Sequence, residues 1–206
     1  MDWHSLSPQD IERRSFEIIS ERLGDTVIPP AHYPVLMRVL HTTADFDYVQ
    51  NLYFSQDAMQ AGQEALKLGA HIVTDTRMAQ AGINKAALAR LNCQTHCFMS
   101  DAQVAASAVS RGITRAAVCM EKAAALPGPL IVAVGNAPTA LLRLHELIAV
   151  GEITPALIIG VPVGFVNVTE SKEIIKNSYT PCIIAEGLKG GSPVAAAIVN
   201  ALMYGI

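Results

Sequence analysis

A mainly parallel β-sheet covered by helices on both faces is the fold class that this 206-residue sequence predicts. Short apolar runs, each followed by a segment of helical pattern, repeat along the C-terminal two thirds of the chain, the arrangement of successive β-α units. Hydrophobic residues make up 51% of the chain and aromatics only 5%, with abundant Ala, Val, Ile and Gly. That balance suits strands buried between helices better than a β-sandwich. The length fits one domain spanning residues 1–206, and no sequence repeat or low-complexity linker divides it.

The elements follow in order. Ser7-Pro8-Gln9-Asp10 reads as an N-cap, a Pro at the first helical position and an acid in the first turn, so a helix should run to Leu23 and stop at Gly24. Val27-Ile28-Pro29-Pro30 is a connector, and Pro34 opens a short helix through His41. Thr43 caps a further expected helical run through Phe46, Val49 and Leu52, and another helix is expected over residues 55–68. Strands are expected at 71–74, 96–99, 116–119, 130–134, 156–159 and 181–185. Helices are expected between and after them, near 77–91, 101–111, 137–150, 168–177 and 193–204. In such a sheet the loops leaving the strand carboxyl ends gather the ligand site. Here they carry Thr74-Asp75-Thr76, Gly135-Asn136-Ala137-Pro138-Thr139, Gly160-Val161-Pro162-Val163-Gly164-Phe165 and Glu186-Gly187-Leu188-Lys189-Gly190-Gly191-Ser192. Three of these lead into helix N-termini, where free N–H groups favour anions.

A formal charge of −3 gives no footprint for nucleic acid, and no Lys/Arg run marks a membrane-surface patch. The first residues, Met1-Asp2-Trp3-His4-Ser5, lack the basic and apolar regions of a signal peptide. The longest apolar stretches are too short to span a bilayer, so the expected location is cytoplasmic. Cys93, Cys97, Cys119 and Cys182 show no disulfide framework and read as free thiols.

The sharpest constellation is Arg38 and His41, which share a face at i,i+3 spacing if their segment is helical. A fixed cation beside a residue type that titrates near neutrality suits a negatively charged substrate that gains or loses a proton. On spacing alone, a surface Arg beside a core-edge His is the more frequent arrangement. His4, His32, His71, His96 and His145 are weaker candidates, and His71 and His96 read as structural. Cys93-Gln94-Thr95-His96-Cys97 lacks CxxC spacing and a second ligand pair, so no metal site is expected. Gly187-Leu188-Lys189-Gly190-Gly191-Ser192-Pro193 is a backbone nest with one Lys, but its order is not that of a phosphate loop. A flexible loop explains it equally well. GxGxxG after a strand and GxSxG are both absent, which leaves nucleotide binding and a hydrolase triad without support. Arg13-Arg14-Ser15 and Glu170-Ser171-Lys172 read individually as solvated helix faces.

The order of segments adds what the single motifs lack. Arg14-Ser15-Phe16 precedes Arg38-Val39-Leu40-His41-Thr42-Thr43-Ala44-Asp45-Phe46-Asp47, followed by Ile72-Val73-Thr74-Asp75 and Ala81-Gly82-Ile83. Val134-Gly135-Asn136-Ala137-Pro138-Thr139-Ala140-Leu141, Gly160-Val161-Pro162-Val163-Gly164-Phe165-Val166, Glu170-Ser171-Lys172-Glu173 and Lys189-Gly190-Gly191-Ser192 complete the series. From near one end to the other, the chain resembles the precorrin-8X methylmutase family. The resemblance implies a flavodoxin-like three-layer α/β/α fold, a homodimer, no dissociable cofactor, and a tetrapyrrole substrate. The implied reaction moves a methyl group from C-11 to C-12 of precorrin-8X or cobalt-precorrin-8, giving hydrogenobyrinic or cobyrinic acid. The family's histidine falls on His41, and its substrate-contacting Ser and Arg fall on Ser15 and Arg38. Leu188 departs from the pattern, standing where the family often has Arg.

Such a substrate is a flat apolar macrocycle edged with carboxylates, so its site should combine apolar surface, backbone N–H groups and cations. Lys172 and Lys189 are the expected additional cations, and Thr42, Thr43, Asn136 and Ser192 complete the expected binding set. Two other readings compete: a non-catalytic tetrapyrrole carrier using the same loops, and a flavin or nucleotide protein of the same fold.

Overall fold

The computed structural model describes residues 7–206, so His4 and the rest of the segment 1–5 lie outside the described residues. Helix α1 (Pro8–Leu23) begins as the sequence dictates: the Ser7 hydroxyl accepts from the Asp10 N–H while the Asp10 carboxylate accepts from the Ser7 N–H. A capping contact of this kind stabilises a helix by about 0.5–2 kcal/mol. Gly24, with φ +52, ends it. Helix α2 (Tyr33–Thr43) carries Pro34 in its first turn and buries Val35, Leu36, Met37, Val39 and Leu40. It stops at Ala44, which takes a left-handed conformation and donates its N–H to the Leu40 carbonyl.

After a four-residue turn of helix, α3 (Tyr48–Asn51), strand β1 (Leu52–Phe54) pairs antiparallel with the last strand, placing Leu52 opposite Ala185. The helical run expected through Leu52 is therefore corrected: three residues are too few for an alternating pattern to announce an edge strand. Helix α4 (Ala58–Lys67) starts later than residue 55, and Gly69 at φ +76 follows it. Strand β2 (His71–Thr74) lies where expected. The segment 77–91 forms two helices, α5 (Arg77–Gly82) and α6 (Lys85–Arg90), because Asn84 caps the second through the Ala87 N–H while its own N–H is donated to Asn200.

Strand β3 (Gln94–His96) ends where the sequence reading began its strand. Phe98–Ser100 instead turns as a 3-10 helix, into Asp101, the cap of α7 (Ala102–Arg111). The strand expected at 116–119 is likewise overturned. Those residues lie in α8 (Arg115–Ala123), capped by the Thr114 hydroxyl. A four-residue apolar run has no decisive period, and its alanines favour helix. Strand β4 (Leu130–Val134), α9 (Pro138–Ala149), β5 (Leu157–Gly160), α10 (Val168–Lys176), β6 (Cys182–Ala185) and α11 (Ser192–Tyr204) agree with expectation to within a residue or two.

The strands form one sheet in the order β1-β6-β5-β4-β2-β3, parallel throughout except at β1. Without the antiparallel edge, this is the flavodoxin-like order 2-1-3-4-5, with its reversal of strand order between β2 and β4. Alternation along β4 sends Ile131 and Ala133 into the core under α1, α2, α4–α6 and α11, while Leu130, Val132 and Val134 pack under α7–α10. The three-layer expectation holds. Cys93, Cys119 and Cys182 are buried free thiols, with Cys97 half-buried.

Candidate active site

The reversal of strand order opens a crevice at the carboxyl ends of β2 and β4. A helix N-terminus there ordinarily welcomes an external anion. In this chain Asp75 supplies its own. The Asp75 carboxylate accepts from the N–H groups of Gly135 at 2.8 Å, Asn136 at 2.8 Å and Ala137 at 2.6 Å. Burial raises the pKa of this carboxyl, and the three N–H groups pull it back towards the ionised form. The anion-binding expectation for this loop is thus met from inside the protein. Asn136 itself is exposed beside the crevice.

Thr76, which caps α5, shares a 2.7 Å hydrogen bond with the Ser192 hydroxyl at the start of α11. Gly135 makes this approach possible, because a Cβ there would lie 2.8 Å from Ser192 Cα. From Ser192 the loop runs back through Gly191 and Gly190, where Gly191 donates its N–H to the Val161 carbonyl at 2.8 Å. Lys189 then reaches across to the loop after α2, binding Asp45 Oδ2 and Asp47 Oδ2 at 2.6 Å each. This pair of carboxylates pushes the Lys189 pKa upward, and the hydrogen bond from Lys189 holds that of Asp45 down. Lys172 holds the same loop from below: its Nζ donates to the carbonyls of Gly187 and Lys189 at 2.7 and 2.8 Å. Being only 1% exposed, it has its pKa lowered to about 8 by burial. Its place is therefore beneath the loop, not among the exposed cations the sequence reading expected.

The C-terminal half of α2 carries the other candidates. Its buried face fixes Arg38, His41 and Thr42 on the outer side. Thr42 and Thr43 donate their hydroxyls to the carbonyls of Arg38 and Val39, and Thr43 also accepts the Asp45 N–H. These threonines, with Tyr48, Val163, Lys189 and Gly190, wall a depression of about 400 Å³. On the other side of the helix end, His41 and Ser15 line an open pocket of about 290 Å³ with Ile18, Ile19, Arg22 and Phe46. The Phe16 ring lies 5.2 Å from the His41 ring, tilted by 48°. Ser15 donates its hydroxyl to the Ile11 carbonyl. Arg38 is half-buried between the rings of Phe16 and Tyr204, each about 5.1 Å from its guanidinium carbon, and binds Glu12 at 2.6 Å.

Two depressions therefore flank the end of α2, and the loop 186–192 links the one beside Thr42 and Thr43 to the switch-point crevice. His41 and Ser15 come together, as do Thr42, Thr43 and Lys189. Asn136 and Ser192 sit at the crevice end. Sequence reasoning missed the internal partners Glu12, Asp45, Asp47 and Asp75, together with Arg22. Thr74-Asp75-Thr76 was visible as a loop, but the 60-residue reach of its carboxylate leaves no local signal. Among the other described histidines, three pack against neighbouring rings. His71 Nδ1 and His96 Nε2 share a hydrogen bond at 2.8 Å, and His32 stacks on Phe54 at 4.1 Å. His145 Nδ1, on α9, has no partner among the described residues. No group of three or more His, Cys, Asp or Glu side chains able to hold a metal occurs among the described residues. No described helix is long and apolar enough to cross a membrane.

Residues 10–205 match the family described as precorrin-8X methylmutase. The chain is 47% identical over 204 residues to the cobalt-precorrin-8 methylmutase of Salmonella typhimurium, covering 96% of this chain and 95% of that one. It is 40% identical over 196 residues to the precorrin-8X methylmutase of Pseudomonas aeruginosa, covering 94% of each. The crystal structure of precorrin-8X methylmutase from Thermus thermophilus superposes with a TM-score of 0.88 at 39% identity, over 95% of both chains. None of these supports the carrier reading. The chain belongs to the precorrin-8X methylmutase family, isomerases of cobalamin biosynthesis.

Proposed function

We propose that this chain moves a methyl group from C-11 to C-12 of precorrin-8X, or of its cobalt-containing counterpart, with His41 as the proton donor and acceptor. The family match over residues 10–205 carries the reading, and the placement of His41 supports it. His41 is exposed at the mouth of an apolar pocket, beside Ser15 and against the Phe16 ring. Within the substrate the bond from the methyl carbon to C-11 breaks as the bond to C-12 forms, so no external nucleophile or oxidant is needed. The protein's task is to hold one tautomer of the conjugated ring and to place a proton or hydrogen bond at a ring nitrogen. An imidazole suits that task, and acid/base help of this kind contributes roughly 10²–10⁴-fold. Hydrogen-bond donors aimed at the macrocycle supply further stabilisation as its charge changes.

Ser15, Arg38, Thr42, Thr43, Asn136, Lys189 and Ser192 are the proposed substrate contacts, with Lys172 acting through the loop it holds. The two depressions, of about 290 and 400 Å³, are shallow and open. A flat macrocycle laid across the end of α2 would leave one face uncovered, and a second copy of the chain is the proposed cover, making a homodimer. The proposed location is the cytoplasm, where free thiols such as those of this chain stay reduced.

The experiment follows the absorption spectrum of precorrin-8X, and separately of its cobalt form, mixed with the wild-type protein and with His41→Ala. The expected result is conversion to the corrin chromophore by wild type, with His41→Ala still binding tetrapyrrole but turning over at least about 10²-fold more slowly. Wild-type turnover by His41→Ala at saturating substrate would sink the role of His41. Binding without conversion by the wild type would sink the isomerase reading itself.

A further inference from the structure

A carboxylate-edged substrate calls for cations at its rim, and the cations legible in the sequence are largely engaged within the protein. Arg38 binds Glu12, Lys189 binds Asp45 and Asp47, and Lys172 is buried against two carbonyls. Arg22 differs from all three. It stands in the last turn of α1, on the wall of the same pocket as His41 and Ser15, and has no carboxylate partner among the described residues. Ser15 and Arg22 are seven residues apart, so they share a helix face and lie about 10 Å apart along its axis. The guanidinium carbon sits 4.8 Å above the centroid of the Phe46 ring. Stacking fixes the plane of a guanidinium while leaving its N–H edge open for a bidentate acceptor. Around it, Ile18, Ile19 and Leu40 supply the apolar floor that a macrocycle needs.

We propose that Arg22 binds one peripheral carboxylate of the tetrapyrrole and thereby anchors that edge of the ring in the pocket it shares with His41. This rests on the methylmutase reading above and names a contact within that site. The side chain acts in ground-state and transition-state binding alike, so its loss should appear in KM and in product affinity while kcat is retained.

The test titrates hydrogenobyrinic acid, and the same corrin with its carboxylates esterified, into wild type, Arg22→Gln and Arg22→Lys. KM and kcat for the methyl shift are measured alongside. Arg22→Gln is expected to weaken binding of the acid roughly 10- to 100-fold, the range for losing a hydrogen bond to a charged group. KM should rise with it, the ester should bind wild type and Arg22→Gln equally, and Arg22→Lys should recover part of the loss. Unchanged affinity for the acid in Arg22→Gln would overturn the proposal. So would an equal loss for acid and ester, which would mean that Arg22 merely packs on Phe46. Wild type that binds the acid in an Arg22-dependent way yet moves no methyl group would overturn the isomerase reading and leave the Arg22 contact standing.

Discussion

Lys172 Nζ donates at 2.8 Å to the carbonyl oxygen of Lys189, whose own ammonium binds Asp45 and Asp47 on the opposite wall. One lysine thus holds the backbone of another from the core, while the second fastens the loop to the end of the His41 helix. Burial lowers the pKa of Lys172 to about 8. Below that pH the side chain is charged in both the folded and unfolded chain. Between about 8 and its ordinary value of 10.5 only the unfolded chain keeps the proton, so the contribution of this group to stability rises with pH. The stability of wild type relative to Lys172→Met is expected to increase over that window, by up to about tenfold in the folding equilibrium per pH unit. Urea unfolding of both proteins across the window measures it. A flat or falling difference would count against a depressed Lys172.

Arg38 is shared between Glu12 and any ligand that reaches it. Arg38→Ala is expected to weaken tetrapyrrole binding by about 1.5–3 kcal/mol if the guanidinium makes a charge-assisted hydrogen bond to substrate. Glu12→Gln removes the competing anion, so it should leave affinity intact or strengthen it. Spectroscopic titration of both variants decides the matter, and weakening by Glu12→Gln equal to that of Arg38→Ala would show that the ion pair itself, and not Arg38, shapes the site.

Asp75→Asn puts an NH₂ group where an oxygen now accepts from backbone N–H groups. Two of the three donors, Asn136 and Ala137, converge on one carboxylate oxygen, so whichever way the amide turns at least one N–H faces another donor or loses its partner. The loss expected is about 2–4 kcal/mol in unfolding free energy. Denaturant titration should show it as a shifted midpoint with an unchanged slope. Stability within about 0.5 kcal/mol of wild type would mean that the carboxylate contributes little to holding the crevice.

Gly190 has φ +155, and a Cβ there would run into the Val161 carbonyl oxygen. Gly190→Ala should displace the loop that carries Lys189. Substrate affinity is then expected to fall by at least about tenfold, while the buried sheet keeps its far-UV signature. Gly187→Ala is the comparison. It shares a positive φ of +70, but open space surrounds its Cβ position, so only conformational strain applies. Equal effects from the two would assign the Gly190 defect to backbone strain alone.

The parts of this protein legible in its sequence are those governed by neighbours along the chain. Ser7 and Asp10 announced α1, Pro34 announced α2, and the apolar runs at β2, β4, β5 and β6 announced a parallel sheet. The segment 116–119 misled because four apolar residues satisfy either period, and β1 escaped because its partner lies some 130 residues away in β6. The same division runs through the site. His41 and its neighbours on α2 were legible, whereas the ion pairs that occupy Arg38 and Lys189 depend on α1 and on the turn after Thr43. Charge type is written locally, but whether a charge is free for a ligand depends on how distant elements pack.

The reach of Asp75 also bears on how the protein is made. The amides it gathers lie 60–62 residues further along the chain. As synthesis proceeds from the N-terminus, β2 emerges well before β4, and throughout that interval the carboxylate lacks the three N–H partners that the loop after β4 supplies. A nascent chain that ends before Gly135 therefore cannot bury the end of β2 without stranding a charge. The crevice closes only once both halves of the sheet exist, so premature collapse of the first half is penalised by the same residue that later completes the carboxyl end of the sheet.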